Sequence, residues 1–99
     1  MEQVFIYGNL MDANVQHYAF KRKVDFSYDV LFDYDTEEVK INGQPAIISV
    51  PRRGYSINGA ILHLTPEEVD FLQGKIGRGL KKIRVKLNSG REAWTFALV

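Results

Sequence analysis

Hydrophobic and polar residues alternate most clearly over residues 25–35, DFSYDVLFDYD. Every second residue of this stretch is aromatic or aliphatic: Phe26, Tyr28, Val30, Phe32 and Tyr34. A period of two is typical of a strand with one buried face. We therefore expect a strand over Asp25–Asp35 whose aromatic side chains lie in the core, leaving no exposed platform on which a base could stack.

Shorter apolar runs predict further strands. Gln3–Tyr7 is one, and Ala46–Val50 and Ala60–Leu64 are nearly continuous apolar runs of the kind found in central strands. Near the C-terminus KIRVKL alternates charged and aliphatic residues, and the turn sequence NSG follows it. Lys82–Val99 is therefore predicted to form a β-hairpin.

Helix signals occur at two places. In LTPEEVDFLQG, Thr65 is a predicted N-cap, Pro66 fits the first helical position and Glu68 completes a capping box. Gly74 is predicted to end this helix. A second helix is expected over roughly Asp12–Phe20, because Asp12 can cap it.

Many strands with two short helices indicate an α+β fold with a small mixed, barrel-like β-sheet. At 99 residues the chain is expected to be a single domain, residues 1–99. No stretch approaches the roughly 20 apolar residues of a membrane span, and no signal peptide is recognisable. The chain has no cysteine, so disulfides and thiolate chemistry are excluded. We expect a cytoplasmic protein with no membrane association.

Metal and cofactor chemistry is poorly supported. His17 and His63 are the only histidines, and they are not at a ligand spacing. His63 lies in an apolar run, where a structural role is the better interpretation. The glycine-rich GKIGRG, Gly74–Gly79, follows a helix and precedes a strand, whereas a phosphate-binding loop runs from strand to helix. We expect no metal and no cofactor.

Positive residues form four short clusters, although the net charge is only +1. They are residues 21–23, Arg52 with Arg53, Arg78 with Lys81, and the strand face of Lys82, Arg84 and Lys86. Nucleic-acid-binding domains usually carry a clear basic excess, so nucleic acid is not expected as a partner. A protein partner bound at these surface clusters remains an open alternative.

The N-terminal stretch VFIYGNLM runs from a strand through Tyr7-Gly8-Asn9 into a predicted helix. Such a loop is either a plain turn or a site whose backbone N–H groups hold a carboxylate or carbonyl oxygen. Chemistry there would also need a carboxylate acting as acid and base. Glu67 and Asp70 are candidates, whereas the capping position of Glu68 favours a structural role.

Four segments in order resemble the gamma-glutamylcyclotransferase-like family. VFIYGNLM is similar to the family's YGTL/YGSL loop, and NGQPAII is similar to GGYPAIV. INGAILHLTPEEVDFLQGKIG resembles VxGELYxLxxEELxxLDxxEG, and LKKIRVKLNSGREAWTFAL resembles YxRxxVxVxxxDGxxxxAxxY. The resemblance spans nearly the whole chain and keeps order and spacing.

The resemblance implies a small α+β fold in which the Tyr-Gly-Ser/Thr-Leu loop floors a cavity that binds a γ-glutamyl group. A glutamate at the end of the helix would shuttle the proton, and the products would be 5-oxoproline and a released amine. Here Tyr7, Gly8, Asn9 and Leu10 stand in the loop. The position of the catalytic glutamate is Ile76.

Two further family positions differ: the aspartate before the catalytic glutamate is Gln73 and the tyrosine before the next strand is Leu80. An isoleucine cannot transfer a proton, so the resemblance implies that the cavity is kept and the catalyst is lost. The kept cavity would bind a small anionic or γ-glutamyl-like ligand or a protein partner, and Arg78 and Lys81 would favour an anionic ligand such as a nucleotide. The alternatives are an active cyclotransferase with an acid supplied from elsewhere, and a binding or inhibitor protein, for instance a viral one, that acts through its surface.

Overall fold

A computed structural model describes residues 1–41, 43–76 and 79–98, and the side chains of Ile41 and Ile76 are not described. A five-stranded sheet has the order β2-β3-β1-β5-β4. Its strands are β1 Glu2–Ile6, β2 Phe26–Ile41, β3 Gln44–Leu64, β4 Lys81–Lys86 and β5 Glu92–Ala97. The helices are a 3₁₀ turn at Gly8–Met11, α1 Ala13–Phe20 and α2 Pro66–Ile76.

The sheet is mixed. β1 pairs parallel to β5 and antiparallel to β3, while the β2–β3 and β4–β5 pairs are antiparallel. The expectation of an α+β fold with a curled, half-barrel sheet is therefore confirmed. Among the described residues no helix is long and apolar enough to cross a membrane.

The core lies on both faces of this sheet. On the outer face, Val4, Leu62 and Phe96 pack against Phe20 of α1 and Leu72 of α2. On the inner, concave face a second cluster gathers Phe5, Leu31, Ile57, Ile61, Val85, Leu87 and Ala93. The alternation of strands β1, β3 and β5 therefore divides the apolar residues between two layers, which an α+β fold requires.

The prediction that the aromatic face of β2 is buried is wrong for Tyr28 and Phe32, whereas Phe26 and Tyr34 are half-buried against the core clusters. Tyr28 is 69% exposed and Phe32 is 53% exposed, whereas Asp29 and Leu31 are buried. Leu31 lies on the inner face of the curled sheet. Because successive side chains of a strand point to opposite faces, the residues that alternate with it point outward. The helices cover this outer face only near Phe26, which packs against the outer cluster. The expected absence of exposed aromatic side chains is wrong for the same reason.

Strands β2 and β3 form one long hairpin in place of the separate strands predicted. The runs around Ile48 and Ile61 belong to the same strand, β3. A bulge interrupts the pairing between Phe32 and Tyr34, where Asp33 takes a positive φ of 66°. A bulge bends a strand, and the distal part of the hairpin, residues 34–51 (the arm), packs beside the end of β5. There the Ser49 hydroxyl donates to the carbonyl of Phe96 at 2.6 Å.

The predicted helix starts are confirmed. Asp12 accepts hydrogen bonds from the N–H groups of Asn14 and Val15 and caps α1. At α2, the Glu68 N–H donates to the Thr65 hydroxyl (3.2 Å) and the Thr65 N–H donates to the Glu68 carboxylate (2.8 Å), which completes the capping box.

The predicted end of α2 at Gly74 is wrong, because the helix continues to Ile76. Gly74 is absent from the glycines with positive φ, so it does not adopt the left-handed conformation that a glycine C-cap requires. The predicted C-terminal hairpin is confirmed by β4 and β5. Lys82, Arg84 and Lys86 are exposed on β4, while Val85 between them is buried.

Candidate functional site

The loop after β1 is a tight turn that leads into α1. Tyr7 is extended (φ −146°, ψ 173°), and the chain then enters the 3₁₀ turn Gly8–Met11. Gly8 has a φ of +74°, a conformation that L side chains rarely adopt, and a Cβ there would meet nothing within 4 Å. Glycine is therefore needed at position 8 for its backbone conformation and not for lack of space.

Three hydrogen bonds fix the ends of this loop. The buried Gln16 side chain donates from Nε2 to the carbonyl of Leu10 at 2.7 Å. The Asp12 N–H donates to the carbonyl of Asn9 at 3.1 Å. On the strand side, the buried Thr95 hydroxyl donates to the carbonyl of Phe5 at 3.0 Å. The loop is thus held from α1 and from β5.

Two backbone N–H groups at the start of the turn lack intrahelical acceptors. In a 3₁₀ turn each N–H bonds the carbonyl three residues earlier, so the Leu10 N–H pairs with the carbonyl of the N-cap Tyr7, whereas Gly8 and Asn9 have no carbonyl behind them in the turn. Within the part of the chain that the structure describes, no other backbone or side-chain acceptor reaches them. These groups are available to an oxygen atom of a ligand.

A cavity of about 380 Å³ adjoins the loop. Its walls come from β1, the loop, the arm, the end of β5 and Leu80, and are mostly apolar. The lining residues are Phe5, Ile6, Tyr7, Gly8, Asn9, Leu10, Glu38, Pro45, Ala46, Ile47, Leu80, Thr95 and Phe96. All four predicted loop residues therefore line one cavity of a size usual for small-molecule sites.

Tyr7 is the aromatic side chain that links the loop to the arm. Burial raises the pKa of Tyr7, and hydrogen bonding with Ser49 offsets only part of that rise. The phenol is therefore neutral at pH 7. It offers the cavity a polar hydroxyl on an otherwise apolar wall.

The carboxylate in the cavity wall is Glu38 of β2, which sequence reasoning did not select. The acids considered from the sequence are elsewhere: Glu67 and Asp70 are exposed on α2 and do not line the cavity. Glu68 is bound by Arg22, whose Nε and Nη2 donate to the two carboxylate oxygens at 2.8 and 2.7 Å. Its structural role is confirmed.

The side chains of two predicted site residues are not described. The backbone of Ile76 forms the end of α2, but its side chain is not described, and Arg78 is not described at all. Between them and β4, Leu80 reaches the cavity wall. The sequence signal for Leu80 was its family position, and the signal for residues 45–47 was the NGQPAII segment.

Several of the positive side chains are held by neighbouring groups. Arg52 pairs with Asp35 (2.6 Å) and Glu37 (2.8 Å) across the hairpin. On β4, the cations of Lys82 and Arg84 lie 4.6 and 5.2 Å from the ring centre of Trp94. Among the described residues, no group of three or more His, Cys, Asp or Glu could hold a metal ion.

Solved structures share this architecture. A solution structure from Arabidopsis thaliana superposes with a TM-score of 0.78 at 20% identity, covering 97% of this chain and 61% of that protein. A crystal structure of an uncharacterized protein from Pyrococcus horikoshii gives a TM-score of 0.72 at 17% identity, covering 98% and 77%. A gamma-glutamyl cyclotransferase gives a TM-score of 0.78 at 14% identity, covering 99% and 66%.

The chain thus spans about three fifths of the length of the Arabidopsis protein. No protein-family model and no curated protein sequence matches it. At these identities the likeness establishes the fold and leaves activity to separate evidence. This protein therefore has the gamma-glutamylcyclotransferase-like fold that its sequence motifs indicate.

Proposed function

We propose that this protein binds a small γ-glutamyl-like ligand in the loop cavity and does not turn it over. The observation that carries the proposal is that Tyr7, Gly8, Asn9 and Leu10 consecutively line one cavity of about 380 Å³. Mostly apolar walls with a few convergent polar groups are typical of small-molecule sites. The backbone N–H groups of Gly8 and Asn9 would hold a carboxylate or carbonyl oxygen of the ligand.

The lack of turnover rests on position 76. The family resemblance places the proton-transferring glutamate where this chain has Ile76. Acid–base assistance contributes about 10² to 10⁴ in rate, and an isoleucine side chain supplies none. A chain with this cavity and this residue is a binding protein on an enzyme fold.

An active cyclotransferase is the second candidate, and one observation favours it. Glu38 lines the same cavity as Tyr7–Leu10, so a carboxylate is available where a ligand would lie. In that case Glu38 would take the proton from the attacking amine and pass it to the leaving group. Glu67 and Asp70 are unsuited to this role because they do not line the cavity.

The two candidates are separated by measuring 5-oxoproline release from γ-glutamyl amines and γ-glutamyl amino acids. We expect no release from the natural protein and measurable release from Ile76→Glu, because the missing acid is then restored. Release by the natural protein that Glu38→Gln abolishes would establish the active enzyme instead. If neither protein releases 5-oxoproline, direct binding of the same substrates to the natural protein decides whether the cavity is a site.

A further inference from the structure

Glu38 is the charged side chain that the described residues place in the wall of the loop cavity. It stands on the arm, paired with Ile47 of β3, and both residues line the cavity together with Pro45 and Ala46. The other polar lining groups, including the Tyr7 hydroxyl and the Asn9 amide, are neutral. The cavity therefore has an acidic side formed by the arm and a neutral, N–H-rich side formed by the loop.

The carboxylate of Glu38 forms no hydrogen bond or ion pair with any residue in the ranges 1–41, 43–76 and 79–98. Its neighbour Glu37 differs, since Arg52 donates to Glu37 at 2.8 Å on the opposite side of the strand. Lys40 flanks a shallow groove together with Glu38, yet these two described residues form no ion pair. Glu38 thus has unused capacity to accept hydrogen bonds.

The Glu38 side chain is exposed at the rim of the cavity, and a ligand that fills the cavity would remove part of its water. Taking water from an unpaired carboxylate is costly unless the ligand supplies a positive partner. A neutral or anionic group beside Glu38 would leave that cost uncompensated, whereas an ammonium group would form a charge-assisted hydrogen bond. The same carboxylate therefore attracts one class of ligand and rejects another.

We propose that Glu38 is a specificity-determining residue that restricts the cavity to ligands carrying an ammonium group. This inference rests on the proposed function, because it assumes that the cavity is a binding site. Combined with the N–H groups of Gly8 and Asn9 on the other wall, it describes an amino-acid-like ligand, with its ammonium towards the arm and an oxygen towards the loop.

Two probes that differ in the ammonium group test the inference. γ-L-Glutamyl-p-nitroanilide carries an α-ammonium and a carboxylate, and glutaryl-p-nitroanilide keeps the carboxylate and lacks the ammonium. Titration calorimetry gives both affinities, and amide shifts of residues 7–10 in NMR spectra locate the site. We expect the natural protein to bind the glutamyl probe roughly tenfold more tightly, as one charge-assisted hydrogen bond at a cavity rim implies.

Glu38→Gln should abolish this preference by weakening the glutamyl probe alone. Glu37→Gln is the matched control, because it makes the same charge change one residue away and leaves Arg52 paired with Asp35. The role of Glu38 is overturned if the natural protein binds both probes with equal affinity, or if Glu38→Gln weakens the binding of both probes equally. Either result leaves the proposed function standing. Failure of the natural protein to bind either probe overturns the proposed function and this inference together. The comparison on the natural protein needs no variant to fold.

Discussion

Ser89 in the turn between β4 and β5 holds the carboxylate of Asp29 on β2. Its hydroxyl donates to one oxygen at 2.5 Å and its N–H donates to the other at 3.2 Å. Beside this pair, the N–H of Asn88 donates to the carbonyl of Val30 at 2.9 Å. Because β2 and β4 are the two edge strands of the sheet, these bonds close the half-barrel between its edges.

Replacing Ser89 by alanine should destabilise the protein by about 1–2 kcal/mol, because the buried Asp29 carboxylate loses a hydrogen-bond donor. Urea unfolding followed by tryptophan fluorescence measures the change in the free energy of unfolding. Ser56→Ala is the control, since Ser56 is exposed on β3 and its hydroxyl bonds no other described group. Equal stability of Ser89→Ala and Ser56→Ala would show that the Ser89 contact does not close the barrel.

Asp29 should also make the free energy of unfolding depend on pH. Burial alone would raise the pKa of Asp29, but hydrogen bonds from Ser89 and Val30 and the charge of Arg91 outweigh it, so the pKa lies below its ordinary value of 3.8. A carboxyl with a lowered folded pKa stabilises the protein above its unfolded pKa and loses that contribution as the pH falls through the folded pKa. We expect this contribution to be constant from pH 7 to pH 5 and to decline below about pH 4.

Glu68 should behave in the same way. The hydrogen-bonded Arg22 guanidinium holds the pKa of Glu68 below its ordinary value of 4.5. Its stabilising contribution is therefore present at neutral pH and is lost as the pH falls from about 4.5 through the lower folded pKa. The free energy of unfolding of Glu68→Gln, measured at several pH values, should fall less steeply between pH 5 and 3 than that of the natural protein. Glu67→Gln, at an exposed neighbouring position, should retain the slope of the natural protein.

Two glycine-to-alanine changes should have opposite effects. A Cβ at Gly59 would collide with the backbone carbonyl of Ile6 and the ring of Phe5, and overpacking of this kind costs about 1–3 kcal/mol. Gly74 lies within α2, and a Cβ there would meet nothing within 4 Å, so alanine should stabilise the helix by about 0.5–1 kcal/mol. Thermal unfolding of both variants measures the shift of each Tm from that of the natural protein. A stable Gly59→Ala protein would contradict the close packing of β1 on β3.

The buried face of β2 can be tested by comparing adjacent residues. Leu31 is 2% exposed in the inner cluster, and Leu31→Ala should cost about 2–5 kcal/mol. Phe32 is 53% exposed, and Phe32→Thr, which retains strand propensity, should change stability by less than about 0.5 kcal/mol. Chemical denaturation distinguishes the two faces directly. A larger loss of stability in Phe32→Thr than in Leu31→Ala would mean that the aromatic face of β2 lies in the core.

Gly8 should matter for both stability and binding. Alanine at its φ of +74° is strained by about 1–2 kcal/mol, although no atom blocks the methyl group. Gly54→Ala is the matched control, because Gly54 has a φ of +88°, equally open surroundings and a position away from the loop cavity. Both variants should lose similar stability, but only Gly8→Ala should weaken binding of γ-L-glutamyl-p-nitroanilide. Unchanged binding by Gly8→Ala would argue against the loop as part of the site.

Features that depend only on residues close together in the chain could be predicted from the sequence. Asp12, Thr65 and Glu68 mark the helix starts because capping bonds span only two or three residues. The NSG turn predicts the C-terminal hairpin, and Tyr7-Gly8-Asn9 predicts a turn or ligand-holding loop after the first strand, although the positive φ of Gly8 is known only from the structure. The ordered family motifs extended these local signals to the correct fold.

The side of each strand that is buried could not be predicted, because it depends on how the strands and helices pack together. The alternation in β2 showed two faces, but the curl of the sheet placed Leu31 inside and left Tyr28 outside. Likewise, Glu38 reaches the loop cavity because the arm bends beside β5, so it lines the same cavity as Tyr7, which lies 31 positions earlier in the chain. Such contacts depend on the curvature and bulges of the whole sheet, which no local pattern of residues encodes.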